Sequence, residues 1–232
     1  MIKGIIFDKD GTLFDFNATW GAWTRGMLEN EAGGDPATVT RLADVLGYDL
    51  SLGRFRPGSV VIAETGDRVA DAILSVIPGS RDALLERMQA RAAEVTQIEA
   101  VPLAPFLTGL KDSGVLLGLA TNDNEASARR HLTRASCLDA FHFVAGYDSG
   151  HGAKPGPGQL LAFCAAMGLA PQNCAMIGDS THDLDAGRAA GMTCVGVLTG
   201  PAPEEELSPV ADVVLSSIGA VPDWLDAQRS AV

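Results

Sequence analysis

Six short, largely apolar runs, at residues 4–7, 115–120, 141–145, 174–177, 193–198 and 212–215, constrain this chain more than any other feature. Strict alternation of apolar and polar residues would mark strands with one wet face. These runs do not alternate cleanly, so they predict strands covered on both faces. Between the later runs the spacing turns helical, over residues 124–134, 158–167, 182–190 and 218–227. Strand and helix in alternation, with turn residues between them, predict an α/β fold: a Rossmann-like parallel sheet with helices on both sides.

One interval breaks the rhythm. Between Leu13 and Val101 there is no convincing apolar strand run, only helix-like pieces at 19–32, 36–46, 59–76 and 81–93, punctuated by Gly33-Gly34, Pro57-Gly58 and Pro78-Gly79. A usual βα connection is a few residues long. The interval therefore predicts a helical domain at residues 15–100, inserted into a core built from 1–14 and 101–232. The segment 200–209, with its prolines and glutamates, reads as a surface loop.

Charge narrows the possible partners. Seventeen basic residues against 29 acidic ones give a formal net charge of −12. Nucleic acids and anionic membranes both call for a cationic surface, so neither is expected as a partner. An acidic protein that handles a phosphorylated small molecule must supply positive charge locally, from a metal, a lysine or backbone N–H groups. The opening MIKGIIFDKDG is too short an apolar run for a signal peptide or a membrane span, and no segment has 18 uninterrupted apolar residues. Cys137, Cys164, Cys174 and Cys194 are scattered and form no C-x-x-C pair, which predicts buried free thiols and a cytoplasmic location. Nothing in the sequence sets an oligomeric state.

Ligands of open α/β sheets bind beyond the carboxyl ends of the strands, and four chemically loaded segments fall there. The first is Asp8-Lys9-Asp10-Gly11-Thr12-Leu13, after Gly-Ile-Ile-Phe. Two carboxylates one residue apart repel each other unless a cation such as Mg²⁺, which favours oxygen ligands, sits between them. Asp8 then suits a nucleophile and Asp10 a proton donor and acceptor; the plainer alternative is an acidic loop capping a strand. The second is Thr121-Asn122-Asp123, where a hydroxyl and backbone N–H groups suit a phosphate oxygen, or simply cap the next helix. The third is Lys154-Pro155. Lysine is rare here, four against thirteen arginines, so one placed before a proline and ahead of a helix suits neutralisation of phosphate and carboxylate charge. The fourth is Gly178-Asp179-Ser180-Thr181-His182-Asp183. Asp183 lies four residues beyond Asp179, one helical turn, which points both carboxylates at one cation; complementing a helix dipole is the alternative.

FDKDGTL, a strand ending in TND, a KP and IGDSTHD, in that order, resemble the four motifs of the haloacid dehalogenase superfamily. The resemblance spans roughly residues 2–215 and is nearest to the phosphoglycolate-phosphatase type, with a helical cap inserted after the first motif. It implies a Mg²⁺-dependent phosphatase acting on small phosphate esters. Asp8 would form an aspartyl-phosphate, and Asp10 would protonate the leaving alcohol and then activate water. Mg²⁺ would be held by Asp8, Asp10 (through its backbone carbonyl) and Asp179, with Asp183 supporting. Thr121, the Asn122 backbone N–H and Lys154 would grip the phosphoryl oxygens. The cap would close over the site and select the leaving group, with Arg54 or Arg56 as candidates to pair with a substrate carboxylate.

Departures within the superfamily sharpen this reading. Dehalogenases lack the second aspartate of the first motif, and Asp10 is present; phosphonate-cleaving relatives use a cap lysine, and no lysine lies between Lys9 and Lys111. Trp20 and Trp23 suit helix packing better than substrate stacking. The histidines show no zinc pattern and are not expected to act. Two alternatives remain: a sugar-phosphate mutase, which returns the phosphoryl group to a sugar instead of water, and a non-catalytic binding protein, which would not need Asp8 and Asp179.

Overall fold

The computed structural model describes residues 1–56, 58–63, 66–92 and 94–230. In chain order its elements are β1 (Gly4–Phe7), α1 (Phe16–Glu31), α2 (Pro36–Leu46), β2 (Tyr48–Asp49), β3 (Arg54–Phe55), α3 (Val60–Ala63), α4 (Gly66–Leu74) and α5 (Arg81–Ala92). There follow α6 (Leu103–Asp112), β4 (Leu116–Ala120), α7 (Glu125–Arg134), β5 (Phe143–Ala145) and α8 (Gly158–Met167). The last are β6 (Cys174–Gly178), α9 (Thr181–Ala190), β7 (Thr193–Val197), α10 (Glu204–Leu207), β8 (Val213–Leu215) and α11 (Val221–Ser230). Two compact units result: Met1–Asp15 with Glu99–Val232, and Phe16–Ile98.

The first unit is an α/β core whose six strands lie in the order β5-β4-β1-β6-β7-β8. Every pairing in this sheet is parallel, as the unbroken apolar runs predict. The reason is burial: all of β1 and β6, and all but the first residue of β4 and β7, are inaccessible to solvent. Ile5 and Phe7 pack into one apolar cluster with Leu103, Leu107 and Val195. Ile6 turns the other way, toward Phe163, Cys174 and Met176. The chain leaves β1 toward β4 and β5 on one side and continues from β6 to β7 and β8 on the other. The strand order therefore reverses between β1 and β6, where open sheets of this kind leave a crevice.

Helix α6 is not among the expected helices, and the omission has a local cause. Pro105 and Gly109 disguise it, yet Pro105 sits in the first turn, where a missing N–H leaves no helical bond unmade. Leu103, Leu107 and Leu110 supply the buried stripe, and the Glu99 carboxylate accepts the Leu103 N–H at 2.8 Å. The segment from Ile218 also departs slightly from expectation, opening as a 3₁₀ turn before α11.

The second unit is mainly helical, with a core of Met27, Leu28, Leu42, Leu46, Tyr48, Val69, Ile73 and Leu84. Asp35 caps α2 by accepting the Thr38 N–H, and Gly47 ends it in the left-handed conformation. The expectation of no strand in this interval is corrected by β2 and β3, an antiparallel ribbon of two residues each. So short a ribbon leaves no alternating pattern to read. Its turn is organised by the Asp49 carboxylate, which accepts the Ser51 and Leu52 N–H groups at 2.9 and 3.0 Å. The expected helix over 59–76 is represented by α3 and α4; residues 64 and 65 between them lie outside the described residues, as do Pro57 of the expected turn and residue 93 of the expected helix end. Trp20 and Trp23 meet edge to face, with ring centroids 5.6 Å apart, and pack on this unit's core.

Among the described residues, no helix is long and apolar enough to cross a membrane. All four cysteines are free and buried, and burial raises the pKa of each thiol, which keeps them poor nucleophiles.

Candidate active site

Register brings the loaded segments together. Phe7 pairs with Leu119 on one side and Ile177 on the other, so the three strands end level. Asp8 leaves β1 with its N–H still bonded to Ile177 O at 2.9 Å. Asp179 follows the last residue of β6, and Asp183 lies in the first turn of α9. One carboxylate oxygen from each of Asp8, Asp179 and Asp183 lies within 4.8 Å of the others, and all three residues are buried.

Lys154 is the counter-charge. Its Nζ lies 2.5 Å from Asp8 Oδ1 and 2.6 Å from Asp183 Oδ1, and donates to Ala120 O at 2.8 Å. Burial pulls its pKa down, but the Asp183 and Asp8 carboxylates more than reverse this, so the ammonium stays charged. One cation does not balance three carboxylates. Burial first, then repulsion from Asp183 and Asp10, outweighs Lys154 and lifts Asp8 to about 7. Asp179 is raised well above its ordinary value, again by burial first and by Asp8 and Asp183 next.

These groups fit a divalent ion: the donors are hard oxygens, converging and short of positive charge. Asp183 is the least available of the three. Its Oδ2 already accepts the Ser180 N–H and hydroxyl at 3.1 and 2.7 Å, while its Oδ1 faces Lys154. It therefore completes a capping box at the start of α9 and joins the charge cluster.

Gly11 explains the sharp exit from the first motif. Its φ is +90°, and a Cβ there would collide with the Asp179 carboxylate. Gly11→Ala should therefore push Asp179 out of the cluster, lowering any turnover that depends on the cluster by two orders of magnitude or so; unchanged turnover would show that this close approach is unimportant. Thr12 steadies the same carboxylate, donating to Asp179 Oδ1 at 3.1 Å.

The remaining candidates divide. Thr121 is buried at the end of β4, and its Oγ1 accepts the Asp123 N–H at 3.1 Å; a hydroxyl that accepts one bond still has a proton to donate. Asn122 is exposed, and its side chain does what the sequence does not suggest. The amide brackets the backbone of Lys154, donating to Lys154 O at 2.9 Å and accepting Lys154 N–H at 2.8 Å. Arg54 and Arg56 belong to the other unit; both are exposed, and Arg56 is paired with Asp44 at 3.1 Å.

Several site residues are absent from the sequence-based expectation. Segment 200–209 is more than a surface loop: it contains α10, whose Leu207 is buried, and a Cβ at Gly200 would overlap Asp179. Thr199 ties the same region to the first motif through a 2.7 Å bond to Gly11 O. Lys9 is wholly buried and reaches Asp10, Asp123 and His131, so His131, set aside from sequence, lies against the first motif. A charged residue directly between two aspartates was the available signal.

Fold and site together define an α/β enzyme with a buried carboxylate–lysine cluster at the reversal point of a parallel sheet. The chain belongs to the haloacid dehalogenase-like hydrolases, whose family pattern matches residues 2–191. It is similar to a phosphoglycolate phosphatase of Xylella fastidiosa, 31% identical over 199 residues that cover 85% of this chain and 81% of that one. Hexitol phosphatase B of Escherichia coli is 30% identical over 227 residues, 94% of this chain and 93% of that one. Among solved structures, a haloacid dehalogenase family hydrolase of Deinococcus radiodurans with bound phosphate and sodium shares the fold at a TM-score of 0.73, with 23% identity over 97% of this chain and 95% of that one.

Proposed function

We propose that this enzyme is a Mg²⁺-dependent phosphatase that hydrolyses small phosphorylated metabolites through an aspartyl-phosphate on Asp8. The observation that carries the reading is the convergence of Asp8, Asp179 and Asp183 around less positive charge than they need. Asp8, the backbone carbonyl of Asp10 and Asp179 would hold the ion, with Asp183 holding Lys154 in place. When bound, the ion supplies charge neutralisation for the phosphoryl oxygens and keeps Asp8 ionised near neutral pH.

The chain's own groups then divide the work. Asp8 Oδ bonds to phosphorus as the bond from phosphorus to the substrate oxygen breaks, and that oxygen takes a proton from the Asp10 carboxyl. Asp10, now a carboxylate, takes a proton from water as the water oxygen attacks the acyl phosphate, releasing inorganic phosphate and restoring Asp8. Thr121, the Asn122 N–H and Lys154 bind the phosphoryl oxygens, because phosphoryl transfer needs mostly positioning and charge stabilisation. The helical unit serves as the cap that selects the leaving group, with Arg54 or Arg56 offered to a substrate carboxylate. One relative is a phosphoglycolate phosphatase and another a hexitol phosphatase, which leaves phosphoglycolate as one member of the substrate class. Work in the cytoplasm suits the four free, buried thiols.

Purified protein should release phosphate from p-nitrophenyl phosphate and from members of a phosphometabolite panel with Mg²⁺, and lose at least about 10³-fold of that rate in EDTA. Full activity in EDTA would rule out the metal reading. Isomerised sugar phosphate in place of released phosphate would identify a mutase instead.

A further inference from the structure

Successive side chains at the end of β1 point to opposite sides, and the first motif uses both. Asp8 joins the carboxylate cluster, while Lys9 enters a second, separate charge cluster. Its Nζ lies 2.6 Å from Asp10 Oδ2, 3.2 Å from Asp123 Oδ2 and 3.2 Å from His131 Nδ1. Lys9 is completely buried, whereas the side chains of Asp10 and Asp123 are 23% and 30% exposed. The ammonium thus reaches the two carboxylates from the protein interior.

Burying an ammonium is costly unless it is paired and hydrogen-bonded, and here each direction is filled. An ammonium has only donors, so its contact with His131 Nδ1 uses the imidazole lone pair and places the ring proton on Nε2. Burial first and the Lys9 charge next lower the His131 pKa to about 4, keeping the ring neutral and able to accept. His131 sits in the last turn of α7, packed in the core beside Leu132, and Asp123 lies just before the cap of the same helix. Lys9 therefore connects Asp10 to helix α7, through His131, and to the turn that leads into it, through Asp123.

We propose that Lys9 is a positioning residue, fixed by Asp123 and His131, that holds the Asp10 carboxyl in register with the leaving-group oxygen. The inference rests on the reading of Asp10 as the acid that protonates that oxygen. It also explains why a lysine sits between two aspartates: the neighbouring residue supports the second aspartate while the first reacts. A misplaced acid matters little when the leaving group departs easily and greatly when it does not.

The test compares kcat/KM for p-nitrophenyl phosphate and phenyl phosphate, esters of similar shape whose phenols differ in acidity. This ratio covers the steps up to phosphorylation of Asp8, before water is needed. Lys9→Met should lower kcat/KM for phenyl phosphate at least about tenfold more than for p-nitrophenyl phosphate. Asp123→Asn keeps the local shape and should show the same preference, more weakly, if Lys9→Met fails to fold by its melting curve. Asp10→Asn is the reference. Strong leaving-group dependence there with equal losses on both esters in Lys9→Met and Asp123→Asn would overturn the positioning role alone. No such dependence in Asp10→Asn itself would remove the acid assignment, and the inference with it.

Discussion

Asp8→Asn is expected to remove turnover of p-nitrophenyl phosphate by about 10⁴-fold or more while raising the melting temperature at pH 8 in EDTA. The two effects share one cause. The folded protein holds the Asp8 pKa at about 7, against an ordinary 3.8, chiefly by burial. The protonated form is thus the one the fold tolerates. Stability from this group is complete below about pH 4 and is lost as pH rises through about 7. Asparagine resembles the protonated carboxyl at every pH. The variant should therefore melt close to the parent at pH 4, and on the order of 5 °C higher at pH 8 in EDTA. Mg²⁺ should then narrow the gap, since an ion that binds the folded carboxylates stabilises the parent selectively. A melting difference that stays flat from pH 4 to pH 8 would contradict the electrostatic account; retained turnover would contradict the nucleophile.

What the sequence makes legible, and what it hides, follows from how far each feature reaches along the chain. The core strands are readable because burial on both faces of the central ones forces continuous apolar runs such as Gly4–Phe7 and Cys174–Gly178. The ribbon Tyr48–Asp49 and Arg54–Phe55 is too short to carry a pattern, and Pro105 masks α6 although its leucines keep helical spacing. At the site, Asp8 and Asp179 can be singled out because each directly follows a strand, Asp183 because it lies one helical turn beyond Asp179, and Lys154 because it is a rare lysine placed before a proline. The contacts between segments cannot be read this way. Nothing local says that Lys9 meets His131 across 122 residues, that the Asn122 amide grips the Lys154 backbone, or that Gly200 lies against Asp179. A residue type at a strand end announces chemistry; its partner is chosen by the sheet order, which brings β1, β4 and β6 side by side.

Lys154→Ala should be the most damaging change of charge in the core unit. Its ammonium touches Asp8 at 2.5 Å and Asp183 at 2.6 Å with almost no solvent access. Removing one partner of a buried ion pair leaves the other uncompensated, at about 3–5 kcal/mol, and here two carboxylates are left beside a third. In EDTA the urea midpoint should fall accordingly, and Mg²⁺ should restore more stability to this variant than to the parent. The folded, Mg²⁺-loaded variant should still lose about 10²–10³-fold in kcat/KM, because the charge proposed to meet the phosphoryl group is gone. Inhibition by inorganic phosphate should weaken in parallel. A double variant separates repulsion from lost packing. If the cost of Lys154→Ala is carboxylate repulsion, Asp8→Asn should stabilise the Lys154→Ala variant more than it stabilises the parent, a coupling of about 1–3 kcal/mol. Strict additivity of the two changes would mean that Lys154 acts through its packing, and that charge balance does not hold this site together.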